Sequence, residues 1–244
     1  MGATGKGKAE SYYDFKDNPD LSDLLHGDKY AATDWWMNNT ELSNMKEWYE
    51  NTTPKEDTAI ENWVGADYHD FADLYDVPWD ELPLYQKMAI TNLYNAINKF
   101  ELKKGITVNR ATNFKIFGSD MHMTAEQVQK YLETQTQDGM IQADGFMSFS
   151  TVTNGVPVAG SGLIIHLDVP PSTGAGAYVP PIGGNHAERE FLLNNNSILK
   201  FDPKSVRKDS NGVHVNAKLV GRAEMQTIDE KNKSKFKKEQ KPLF

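Results

Sequence analysis

The sequence predicts an α+β fold, and three features carry that prediction. Apolar residues recur at three- and four-residue intervals through roughly the first hundred positions, short alternating runs bounded by Gly, Pro and Asn fill residues 106–220, and one helical pattern interrupts the second half. Helices gathered ahead of strands, rather than alternating with them, argue for α+β over a parallel α/β sheet.

Residues 1–29 read as an N-terminal extension, 30–228 as one domain, and 229–244 as a solvated lysine-rich tail. Within the helical part, Thr53-Pro54-Lys55-Glu56 marks a helix start: a capping hydroxyl, proline at the first helical position and an acid near the positive end. Ala59, Ile60 and Trp63 continue that helix, and Leu82, Tyr85, Met88, Leu93 and Ile97 trace a later one, with Pro78, Pro83 and Gly105 as punctuation.

Strands are expected at Ile106–Val108, Phe146–Val152, Gly162–Val169, Ser197–Phe201 and Val213–Val220, with a helix from Thr124 to about Thr134. The stretch Pro170–His186, rich in proline and glycine, reads as a long irregular loop of the kind that often carries function.

Composition narrows the function. Thirty-four acids against 26 bases give a formal charge of −8, so no general attraction to nucleic acid is expected. The absence of cysteine removes disulfide scaffolds, thiolate zinc sites and cysteine nucleophiles. No apolar run approaches the roughly 20 residues that span a bilayer, and the opening MGATGKGKAESYYDF lacks a signal-peptide core, so no membrane partner is expected. The six histidines show no zinc-binding spacing, and no metal site is expected.

Three short motifs remain. Glu188-Arg189-Glu190 places two acids two residues apart, on one face if the segment is a strand, beside the apolar Phe191-Leu192-Leu193. Alone, the triplet reads better as a solvated strand edge, since acid-x-acid triplets are common. Val108-Asn109-Arg110 ends a strand on an arginine, which alone fits a surface salt-bridge partner. Met147-Ser148-Phe149-Ser150-Thr151 alternates, sending Ser148 and Ser150 to one side.

Taken in order, these motifs resemble the R-S-E type of mono-ADP-ribosyltransferase toxins, such as the enzymatic components of bacterial binary toxins and related insecticidal toxins. Arg110, Ser148 and Glu188 follow one another at intervals of 38 and 40 residues, close to that family's arginine, serine-strand and Glu-x-Glu spacing. Gly174-Ala175-Gly176-Ala177-Tyr178-Val179 is similar to the approach to the family's catalytic loop, and Glu190-Phe191-Leu192-Leu193 to the strand that follows it. Trp63 and Tyr68 have the five-residue spacing of two aromatics that line the NAD site in the family, although helix-face core packing explains the same spacing. The sequence departs from the pattern at Phe149, where the family usually has Thr, at Ala72, where it has Asn, and in the short Thr151–Ser161 segment.

The resemblance implies a helical part followed by a two-sheet β core, and NAD as substrate without a metal. It implies catalytic roles for Arg110, Ser148, Glu188 and Glu190, and an NAD site built from Arg110, Ala111, Ser148, Ser150, Trp63, Tyr68 and Glu190. Glu at position 188 implies transfer to arginine of a target protein, actin or another host protein, by a toxin secreted or delivered into a host cell. His186 is a candidate acceptor contact. An NAD glycohydrolase and a virion-associated phage head protein carrying the same domain are the alternatives.

Overall fold

The computed structural model describes residues 12–14, 30–65, 71, 77–143, 145–151, 162–184, 186 and 188–223. The expectations for Tyr68, Ala72, residues 152–161 and the 229–244 tail lie outside those residues, as does all of the 1–29 extension except 12–14.

The chain before residue 100 is helical: α1 (Ala31–Asn38), α2 (Met45–Asn51), α3 (Pro54–Val64) and α4 (Leu84–Asn98). Helix α3 begins with a reciprocal capping box in which Thr53 accepts from the Glu56 backbone N–H and the Glu56 carboxylate accepts from that of Thr53. Glu56 is buried, and Lys99 meets it at 2.7 Å, joining the start of α3 to the end of α4. Trp48 donates its indole N–H to the Ala96 carbonyl at 2.7 Å and so locks α2 onto α4.

The strands are β1 (Tyr13–Asp14), β2 (Glu101–Leu102), β3 (Ile106–Thr112), β4 (Met140–Gln142), β5 (Met147–Ser150), β6 (Leu163–Val169), β7 (Ser172–Thr173), β8 (Gly176–Tyr178), β9 (Glu190–Leu193), β10 (Ser197–Phe201), β11 (Arg207–Lys208) and β12 (Val213–Arg222). Helix α5 (Ala125–Thr134) interrupts them, opened by a second capping box between Thr124 and Gln127. The main sheet runs β4-β10-β12-β6-β3-β5-β9-β8, with β1 added to β3 and β11 to β12, while β2 and β7 pair separately.

The two halves of the main path meet at one residue pair, Asn109 on β3 with Ser150 on β5. In contrast, β3 and β6 pair over seven residues, from Ile106–Val169 to Thr112–Leu163. The two-sheet core therefore takes the form of two sheets sharing a seam one pair wide.

Alternation divides the larger half into two faces. Val108 and Arg110 share the face of Ile165 and Leu167, which are fully buried, whereas Asn109 shares the other face with His166 and His214. On that second face His166 Nδ1 lies 2.7 Å from Asn109 Oδ1, His166 Nε2 lies 3.0 Å from His214 Nδ1, and His214 Nε2 lies 2.9 Å from Asp209. This chain satisfies the side chain of buried Asn109, as a buried polar group requires.

Pro170–His186 departs from its expected irregularity. It carries β7, β8 and a helical turn at Pro180–Gly183, because Gly176, Ala177 and Tyr178 pair with Phe191–Leu193 despite their weak strand propensity. Tertiary pairing overrides local preference here. Trp36 of α1 stacks on Tyr178 with ring centroids 4.8 Å apart at 11°, and contacts Phe191 and Phe100 at 6.4 Å, tying the helical layer to the small sheet half. Replacing Trp36 by Ala should cost about 3–5 kcal/mol of folding free energy, read as a lowered midpoint in urea denaturation. A loss within half a kilocalorie would show that this junction contributes little.

Candidate active site

Ser150 sits in a row of three strands. It pairs with Asn109 on one side and with Glu190 on the other, so β3, β5 and β9 converge at this residue. Because Arg110 follows Asn109 and Ser148 lies two residues before Ser150, that row brings together groups widely separated in sequence. Arg110 Nη1 donates to the Ser148 carbonyl at 2.7 Å, and the Ser148 hydroxyl donates to Glu190 Oε1.

Glu190 is the first residue of β9 and only 4% exposed. A second donor, the Trp63 indole N–H, reaches the same Oε1 at 3.1 Å. Burial pushes the Glu190 carboxyl above its ordinary value; Ser148 and Trp63 oppose that shift, neighbouring Glu188 adds to it, and Arg110 opposes it.

Trp63 is itself 3% exposed, packed edge-on against Phe71 and Phe146 at 5.6 and 5.5 Å. Its ring is thus part of the core while its N–H serves the carboxylate. The family resemblance implied Trp63 at the NAD site, but nothing in the sequence links an indole N–H to an acid 127 positions later.

Glu188 differs in its setting. The strand starts at Glu190, and Arg189 adopts a left-handed conformation with φ 48°, so the alternation expected to put both acids on one face does not apply. Glu188 is exposed, in the turn ahead of β9. The Ser150 hydroxyl donates to its carbonyl at 3.2 Å, and Thr151 N–H bonds the Arg189 carbonyl at 3.1 Å, so this turn is anchored through its backbone. Ala111 pairs with Ile164 and points to the face opposite Arg110.

His186, two residues before Glu188, lies with Nδ1 2.8 Å from the Thr33 hydroxyl and its ring 4.8 Å from that of Tyr30. Its side chain ties the turn to α1. Among the described residues no group of three or more His, Asp or Glu could hold a metal, and no helix is long and apolar enough to cross a membrane.

A buried carboxylate with one oxygen held by two donors, an arginine beside it and a second acid exposed at the rim form a site suited to stabilising positive charge while admitting a nucleophile. Such a site, on helices followed by this split sheet, defines a transferase of the ADP-ribosylating toxin fold. The sequence matches the ADP-ribosyltransferase exoenzyme family over residues 37–239, and the chain belongs to that family.

Among solved structures it is similar to Plx2a, an ADP-ribosyltransferase toxin from Paenibacillus larvae, at 23% identity and a TM-score of 0.65, covering 79% of this chain and 96% of that one. It is also similar to BECa of the C. perfringens binary enterotoxin, solved with NADH, at 20% identity and a TM-score of 0.63 over 80% of this chain; it spans 49% of that toxin. A third is the C3 exoenzyme of Clostridium limosum, at 15% identity and a TM-score of 0.64, covering 87% of this chain and 98% of that one. A search of curated proteins finds no match.

The raised Glu190 carboxyl has a stability consequence. With the folded value above the unfolded one, folding is favoured while the group is protonated, and that contribution fades as pH rises from the ordinary carboxylate range through the raised value. Glu190→Gln keeps an oxygen for both donors without the charge. Its melting temperature should exceed that of the wild type at neutral pH, and the gap should close on acidification. A lower melting temperature at pH 7 would refute the account.

Proposed function

We propose that the chain uses NAD as substrate and transfers its ADP-ribose to an arginine of a target protein. The observation that carries this reading is the Glu190 carboxylate, held through Oε1 by Ser148 and Trp63. Displacing nicotinamide passes through an oxocarbenium-like state at the ribose, which a fixed carboxylate stabilises. In this reading Oε2 accepts the ribose 2′-hydroxyl, and the double anchor at Oε1 prevents rotation of the carboxylate away from the developing charge.

Arg110 meets the pyrophosphate, where a planar, permanently charged fork suits paired oxygens. Its bond to the Ser148 carbonyl couples phosphate binding to the strand that orients Glu190. The C. perfringens toxin solved with a nicotinamide dinucleotide supports NAD as the ligand class. Glu188, exposed at the rim, binds the incoming guanidinium and takes a proton as the new bond forms, since a group with a pKa above about 12 does not arrive neutral.

Labelled NAD with a protein or small guanidine acceptor tests the assignment. Glu190→Gln should abolish both transfer and NAD hydrolysis, while Glu188→Gln should lose arginine transfer and retain hydrolysis. Equal transfer by Glu188→Gln and wild type would remove arginine as the acceptor, and free ADP-ribose without protein label would make the chain a glycohydrolase.

Trp63→Phe keeps the edge packing and deletes the N–H. It should lower kcat by roughly ten- to a hundredfold, the kinetic equivalent of one charge-assisted hydrogen bond. Because Glu190 acts ionised, the acid limb of the wild-type pH profile should lie above the ordinary carboxylate range; a limb at the ordinary value would contradict the burial argument.

A further inference from the structure

The chain's own arginines are few. Of its 26 basic residues, four are arginine, at positions 110, 189, 207 and 222, and all four lie among the described residues. Three are withdrawn from solvent. Arg110 lies in the site, bonded to the Ser148 carbonyl. Arg189 is 8% exposed. Arg222 is half-buried, donating to Asn98 Oδ1 at 3.0 Å and lying 5.8 Å from the Tyr94 ring centroid. Arg207, on the short edge strand β11, is exposed.

Resting on the arginine reading above, we propose that Arg207 is a self-modification site: one copy of the protein transfers ADP-ribose to Arg207 of another. The local geometry suits a nucleophile. Arg207 Nη2 lies 3.2 Å from His166 Nε2, and a guanidinium has only donors, so the imidazole nitrogen accepts. The His166 N–H then sits at Nδ1, directed at Asn109 Oδ1 at 2.7 Å. This bond holds the exposed guanidinium in one orientation and polarises its N–H.

Transfer must occur between copies. Arg207 pairs with His214, whose side chain lies on the sheet face of His166 and Asn109, whereas Arg110 projects from the opposite face. Glu190 shares the face of Asn109 but stands on β9, three strands from the His166 of β6 that holds the guanidinium. At about 4.8 Å per strand that is roughly 14 Å, so Arg207 is kept from its own Glu190 by distance and from Arg110 by the sheet. In the step, a bond forms between a guanidinium nitrogen of Arg207 and the ribose C1 of NAD. The bond from C1 to nicotinamide breaks, its electron pair leaving with nicotinamide, and the guanidinium proton passes to Glu188 of the acting copy.

The test is incubation of the full chain with labelled NAD, with and without agmatine as an external guanidine, followed by peptide mapping. Label should fall on Arg207 and on none of the other three arginines, with an initial rate rising as the square of protein concentration. Arg207→Lys should lose that label while its transfer to agmatine equals that of the wild type. Labelled agmatine with an unlabelled chain would overturn the proposal and leave the arginine reading intact, and so would label that survives Arg207→Lys. A first-order rate would overturn transfer between copies. Label on neither agmatine nor chain would overturn both readings.

Discussion

The site depends on one constraint, the three-strand row Asn109–Ser150–Glu190. Because β3 meets β5 at a single pair, the two halves of the sheet are not bound into one continuous ladder, and a cleft can open beside the seam. Pairing still fixes position: with Ser150 opposite Glu190, Ser148 and Glu190 lie diagonally across neighbouring strands, within reach of each other. A one-residue slip of β5 against β9 would turn both serines away from the carboxylate and expose Phe149, which is 2% exposed. Core packing therefore enforces the geometry around the Glu190 carboxylate.

Burying Glu190 runs against stability, and the surroundings offset part of that cost. Ser148 and Trp63 supply donors to one oxygen, while Arg110 supplies a nearby positive charge. Trp63 can do so because Phe71 and Phe146 hold its ring and α3 packs against both α4 and the Pro180–Gly183 turn. The helical part thus contributes a donor to the buried carboxylate as well as a cover for the sheet. Helix α1 contributes from the same side, with Trp36 stacked on Tyr178 and Thr33 meeting His186 in the turn that carries Glu188.

The Asn109 end of that row follows a different logic. Asn109 is buried beside the seam, and its side chain is satisfied by His166, which meets His214 and Arg207 in turn. One strand thereby serves two faces, with Arg110 turned one way and Asn109 the other, toward a polar chain that ends at an exposed edge strand.

Much was legible in the sequence for definite reasons. Thr53-Pro54 and Thr124 announced their helices because capping is a local interaction between residues three apart. Period-two alternation marked β5, β6 and β12, since a half-buried strand must alternate. The order and spacing of Arg110, Ser148 and Glu188 singled out the site residues through their resemblance to a family. Other features belong to tertiary structure alone. Strands β7 and β8 have weak local signals and exist through pairing with β2 and β9. The left-handed Arg189 breaks the alternation that the Glu-x-Glu triplet suggested, leaving Glu188 exposed and Glu190 buried. The Trp63 hydrogen bond spans 127 positions and has no periodic signature. Sequence by itself determined the capped helices, the longer alternating strands and the chemical groups, because these follow from interactions within a few residues. Tertiary structure decided which carboxylate is buried, which oxygen is held and which arginine faces solvent, because those follow from contacts between distant segments.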